Sequence, residues 1–156
     1  MCKALDAAYA MINWSIDLAV QKNNPRYYMD YSKLNKLLYI AQCQMLATYN
    51  RPLFDEDVHA HWCGPRVDGI DLIPIRFGFN AITQKIPLDE FAIPSIFRLS
   101  IIDWTLQRYG MMSIEELVEF TKATPAYEEV AGEVTETSKP ILGQEQMAHS
   151  APSVLV

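Results

Sequence analysis

The chain has 156 residues, half of them hydrophobic, with 13 basic residues against 19 acidic ones for a formal charge of −6. That length suits one domain burying about 68–70% of its unfolded surface, and an acidic balance without a Lys/Arg cluster speaks against direct nucleic-acid binding. Cys2, Cys43 and Cys63 are too few and too irregular for a disulfide framework, and no apolar run reaches the roughly 20 residues of a membrane span. The N-terminus also lacks the basic start and clean apolar run of a secretion signal, so a cytoplasmic protein is expected.

The first helix is expected over about Lys3 to Gln21, where Leu5, Ala8, Tyr9, Ile12, Ile16 and Ala19 share a face at spacings of three and four. Asn23-Asn24-Pro25 ends it. The loop Arg26-Tyr27-Tyr28-Met29 is aromatic for a connection, so its tyrosines either fold over the core or form a sticky surface. A second helix begins near Asp30 or Ser32, both good caps, and runs to Tyr49. Its stripe of Leu34, Leu37, Leu38, Ala41, Met45 and Leu46 is wide enough to make it the central helix of the core.

After Arg51-Pro52 and the acidic turn Asp55-Glu56-Asp57, residues 58–63 alternate apolar and polar, which predicts a short strand ended by Gly64-Pro65. Residues 66–79 are apolar but broken by Gly69, Pro74 and Gly78, so any helix there is short. Residues 81–86 are the candidate second strand, pairing with the first. Helical spacing resumes from Ile96 to Tyr109, stopped by Gly110. Ser113 and Glu116 form a capping-box pattern for the next helix, and Thr124-Pro125 opens a short turn. From Glu133 onward no aromatic residue appears and polar residues dominate, so the reading is a domain over 1–132 and a flexible C-terminal tail over 133–156. The end, Ser153-Val154-Leu155-Val156, is either a frayed terminus or a grip for a protease. The expected architecture is mainly α, of α+β type: a compact helical domain around a buried central helix, with a small antiparallel β element.

Chemistry-bearing residues are sparse. His59, His61 and Cys63 would line one strand face, roughly 6.5–7 Å apart, and would need Cys43 or His149 to complete a zinc shell. Cys63 or Cys43 beside a histidine is the only thiol arrangement to consider. The acidic turn lacks calcium-loop spacing, and the glycines are too dispersed for a phosphate loop. No catalytic constellation and no cofactor site are therefore expected. Lys36, set in the apolar seam of the second helix, either snorkels to water or is an ammonium held by a carboxylate such as Asp103.

Leu34-x-Lys36-Leu37-Leu38-Tyr39-x-Ala41-Gln42, followed by Arg51-Pro52-Leu53-Phe54-Asp55-Glu56 and Ala60-x-Trp62-x-Gly64-Pro65, resembles the Panacea domain family of SocA-like antitoxins and GepA-type phage-associated proteins. The similarity continues through Tyr109-Gly110, Ser113, Glu116-Leu117 and Thr121 to Tyr127. It implies a mainly helical domain of phages, prophages and bacteria that neutralises a toxin by direct binding, in at least one type by delivering it to an ATP-dependent protease. It carries no catalytic residues. Cys43-Gln44 after the glutamine, Arg66 after Gly-Pro, and the breaks at Gly69 and Pro74 depart from the family pattern and imply a different partner surface. The expected function is a protein-binding antitoxin. A phage-encoded inhibitor of a host defence or regulatory protein and a small zinc or cysteine enzyme are the alternatives. Tyr27, Tyr28, Trp62 and Arg66 are the candidate partner anchors, and self-association stays open.

Overall fold

The structure, a computed structural model, describes residues 1–151. Among the described residues the chain is mainly helical, with seven α-helices and one two-stranded antiparallel sheet. Helix α1 spans Ala4–Gln21 and α2 Tyr31–Tyr49. Strands β1 (Val58–His61) and β2 (Gly64–Val67) follow, then the short α3 (Leu72–Phe77). Helices α4 (Ile96–Tyr109), α5 (Ile114–Lys122), α6 (Pro125–Val130) and α7 (Gln144–His149) complete the order.

Helix α2 is central as its stripe requires. It packs against α4, α5, α7 and β2, and nearly every residue from Leu34 to Leu46 is buried. Asp30 caps it, accepting the Lys33 N–H at 2.8 Å, and Asn50 ends it in the left-handed conformation. The exit is pinned by one side chain. Gln42 accepts the Leu53 N–H at 2.6 Å and donates to the Phe54 carbonyl at 3.1 Å, so the buried amide satisfies a loop that could not otherwise turn inside the core. Leu53 and Phe54 are driven into the core by the same pinch. The predicted capping box is present, with Ser113 and Glu116 satisfying each other's backbone amides at 3.1 and 3.0 Å.

The sheet differs from expectation. Gly64-Pro65 does not end the β element; it begins the second strand of a hairpin, with His61 paired to Gly64 and Val58 to Val67 across a Trp62-Cys63 turn. Residues 81–86 do not pair with β1. Ile82 instead makes an isolated bridge to Met29, and Asn13 holds the backbone of Ile86 through both its amide atoms. A glycine beside a proline reads as a stop, but Gly64 sits at φ +107°, a conformation that glycine enters freely and that hairpin turns exploit.

The expectation of a flexible tail from Glu133 is corrected as far as the described residues go. Pro140 and Leu142 lie along the free edge of β1: Ala60 donates to the Pro140 carbonyl and Leu142 donates to the Val58 carbonyl, each at 2.8 Å. Leu142 and Met147 are buried, α7 packs on α2, and Ser150 accepts the Ala126 N–H at 2.8 Å. An unpaired strand edge offers hydrogen bonds that composition alone does not reveal, and two buried apolar side chains add to them. The two readings of Ser153 to Val156, a frayed terminus or a protease grip, concern residues outside the described ones. No helix among the described residues is long and apolar enough to cross a membrane.

Candidate functional site

The hairpin turn and the first turns of α2 enclose a pocket of about 230 Å³, lined by Ser32, Asn35, Lys36, Cys63, Arg66 and Phe79, with Asp30 and Tyr31 at its side. Its geometry begins with Gly64. A Cβ there would sit 2.9 Å from Lys36 Cε and 3.3 Å from Thr121 Oγ1, so only glycine lets the hairpin close over the lysine stem. The turn is then fixed through its carbonyls. Lys122 donates to Trp62 O at 2.8 Å, and the Tyr127 hydroxyl donates to His61 O. Strand β2 is tied to α2 by Asn35, which accepts the Val67 N–H at 2.8 Å and donates to Tyr31 O at 3.0 Å. These bonds leave the Trp62 side chain outside, 73% exposed.

Lys36 is only 1% exposed, yet its ammonium takes part in none of the ion pairs among the described residues. Burial pulls its pKa below the usual lysine range, the Cys63 side chain opposes that shift, and the Arg66 guanidinium adds to it. The suggested partner, Asp103, is elsewhere: its Oδ1 accepts from Trp14 Nε1 at 2.8 Å and from Gln107 at 3.2 Å. The Lys36 stem is buried under the hairpin, and the side chain lines the pocket. Arg66 is half-buried and stands 5.7 Å from the Tyr31 ring centroid, with one long 3.5 Å contact to the Tyr31 hydroxyl. The ion pairs among the described residues, His59–Asp68, Arg76–Glu90 and Lys85–Asp17, involve neither cation.

The other expected site residues separate. Leu34, Leu37, Tyr39 and Leu53 are core, and the Tyr39 hydroxyl donates to Thr124 Oγ1 at 2.6 Å. Pro52 is half-buried, its carbonyl held with that of Leu53 by Arg98. Tyr27, proposed as a partner anchor, is corrected: at 2% exposure it is a core residue, and Tyr28 is half-buried against the core. Trp62 and Arg66 remain accessible. The triplet His59, His61 and Cys63 does not converge, because Cys63 sits in the turn and beyond the end of the strand. Among the described residues, the grouping with ligand-like distances is Asp57, His59 and Asp68. There His59 has Nδ1 2.8 Å from Lys139 O and Nε2 2.9 Å from Asp68, two acceptors that a protonated ring satisfies by itself. Neither Cys43 nor His149 joins that grouping. Cys43 offers no thiolate, since burial pushes its pKa up to about 12.

Sequence reasoning missed two features. One is the pairing of Lys36 with Arg66 across a pocket, although a lysine in an apolar seam is the signal that could have found it. The other is a larger cavity of about 510 Å³ between α1 and residues 85–93, lined mainly by Trp14, Ile86, Leu88, Phe91, Ile93 and Leu99. That cavity has shape, but its charged pair, Lys85 and Asp17, is already satisfied internally. Among known proteins, no family model, no curated protein and no solved structure matches the chain.

Proposed function

We propose that the protein is a cytoplasmic protein-binding antitoxin that neutralises a toxin by direct complex formation through the hairpin face. The observation that carries the reading is an exposed aromatic pair flanking a cationic pocket. Trp62 is 73% exposed with its carbonyl held by Lys122, and Phe79 is 74% exposed with its ring edge-on to Tyr31. Large aromatic side chains presented on a rigid frame are the groups that dominate binding energy in protein interfaces. Leu72 and Ile75, spaced three apart on α3, extend the exposed apolar surface toward Phe79. The resemblance of the α2 and hairpin motifs to the Panacea domain family points the same way. The structure also separates the motif's roles: Leu34, Tyr39, Gln42 and Leu53 build the core, whereas Lys36, Trp62 and Gly64 form or abut the pocket.

The test is capture followed by neutralisation. A tagged full chain is expressed in its native host, the co-purifying protein is identified, and that protein is then expressed alone and with the chain. The expected result is a captured protein that arrests growth alone and is neutralised by the chain. Trp62→Ala should weaken capture tenfold or more, since a hot-spot aromatic contributes about 2 kcal/mol. Failure to capture any protein above a charge-matched control, or capture of one that arrests nothing, overturns the antitoxin reading.

A further inference from the structure

We infer that the Lys36–Arg66 pocket is a carboxylate-binding site that receives one acidic anchor, a side chain or a chain terminus, from the protein partner. The inference rests on the protein-binding reading for the origin of the carboxylate, and on the pocket's own construction for its chemistry.

Four observations lead to it. The first is the lysine. A buried ammonium normally has hydrogen-bond acceptors, because removing a charge from water is costly. Lys36 is 1% exposed, makes no ion pair among the described residues, and lines this pocket. The second is Arg66, whose planar fork is suited to a carboxylate and which has no acidic partner among the described residues. The third is the charge balance. Among the lining residues Lys36 and Arg66 face one carboxylate, Asp30, whose Oδ1 is already engaged with the Lys33 N–H, and the Cys63 thiol; Asp71 lies behind Tyr31, 3.4 Å from its hydroxyl. The lining therefore carries two basic side chains against one carboxylate, which suits a small anion. The N-terminus of the 19-residue α2 supplies a further positive end beside Ser32. The fourth is size. At about 230 Å³ the pocket falls below the roughly 300–1,000 Å³ of sites for whole small molecules. It holds a group the size of an aspartate or glutamate side chain, while the flanking Phe79 and Trp62 receive the apolar residues beside it.

The pocket also explains why glycine stands at position 64. A side chain there would push the hairpin off the lysine stem and open the site to water.

The experiment uses the full chain and sodium acetate as the probe, read by backbone amide shifts at constant ionic strength with chloride as the control. Saturable shifts at Ser32, Asn35 and Arg66 are expected with acetate and absent with chloride. Lys36→Met should abolish saturation, and Arg66→Gln should weaken it at least tenfold. Arg66 is half-buried on the surface, so the second variant keeps the test valid if the first perturbs the fold. Shifts that are linear in acetate, or identical with chloride, overturn the proposal. Tighter saturation by inorganic phosphate than by acetate overturns the assignment to a carboxylate.

Two peptides then separate the sources: one with a free C-terminus and neutral side chains, the other amidated with a single glutamate. Binding of either supports the proposal and identifies the anchor, whereas binding of neither overturns it. The two readings fail separately. A captured toxin whose binding is unchanged by Lys36→Met sinks the pocket alone. Saturable acetate and peptide binding with no captured toxin sinks the antitoxin reading and leaves the pocket.

Discussion

Replacing Leu142 by alanine tests whether the C-terminal segment is part of the domain. Leu142 is 2% exposed and sits where the chain runs along the edge of β1. A Leu→Ala change at a buried position costs about 2–5 kcal/mol, the spread depending on how far the surroundings collapse into the cavity. Taking about 3 kcal/mol, a domain of this size should lose about 6–12 °C in Tm if the segment unfolds with the rest. If the segment instead opens as a local unit, the same energy should appear first as hydrogen exchange. Ala60 donates to Pro140 O and Leu142 donates to Val58 O, so these two amides report docking directly. Both should be protected in the parent and exchange about 100-fold faster in Leu142→Ala, while amides in the middle of α1 serve as the global reference. Exchange of Ala60 at the free-peptide rate in the parent, or an unchanged rate and Tm in the variant, would refute the docked segment.

Three further expectations follow from single contacts. Gly64→Ala places a Cβ at φ +107° and 2.9 Å from Lys36 Cε, so it should cost about 1–3 kcal/mol in urea unfolding. A Lys36→Ala background should recover only the part due to the clash. Burial lowers the pKa of His59, but its bonds to Lys139 O and Asp68 outweigh that and leave it raised. Its contribution should therefore be fully present below the unfolded value of about 6.5 and be lost as pH rises through the higher folded value. Limited proteolysis near Lys139 from pH 6 to pH 8 should show the loss, and His59→Asn should flatten it. Tyr39→Phe removes the hydroxyl at 2.6 Å from Thr124, whose own bond to Thr121 O at 2.7 Å survives, so thermal unfolding should report a loss of about 0.5–1.5 kcal/mol.

Much of the helical frame was legible because periodicity and caps are local. Asp30, Ser113 and Gly110 mark boundaries within a few residues of where the helices start or stop. The hairpin was not legible in the same way. Gly64-Pro65 carries two meanings, a stop and a turn, and the choice depends on Lys36 and Thr121 behind it, which are far away in sequence. The C-terminal segment failed for a related reason. Its average composition is polar, but docking is decided by where Leu142 and Met147 fall and by an edge of β1 awaiting hydrogen bonds. At the candidate site, Lys36 and Trp62 stood out in the sequence, whereas the convergence of Lys36 with Arg66 belongs to the tertiary structure alone. Tyr27 misled because an aromatic loop residue looks the same whether it points outward or inward.

The distribution of thiols has a practical consequence. Cys2 and Cys43 are buried, and Cys63 is the accessible thiol, on the lining of the Lys36–Arg66 pocket. A maleimide dye added to the unmodified chain should therefore attach at that one place. The natural sequence provides its own labelling handle beside the proposed anchor site, and an environment-sensitive fluorophore there would report occupancy in real time without an engineered cysteine.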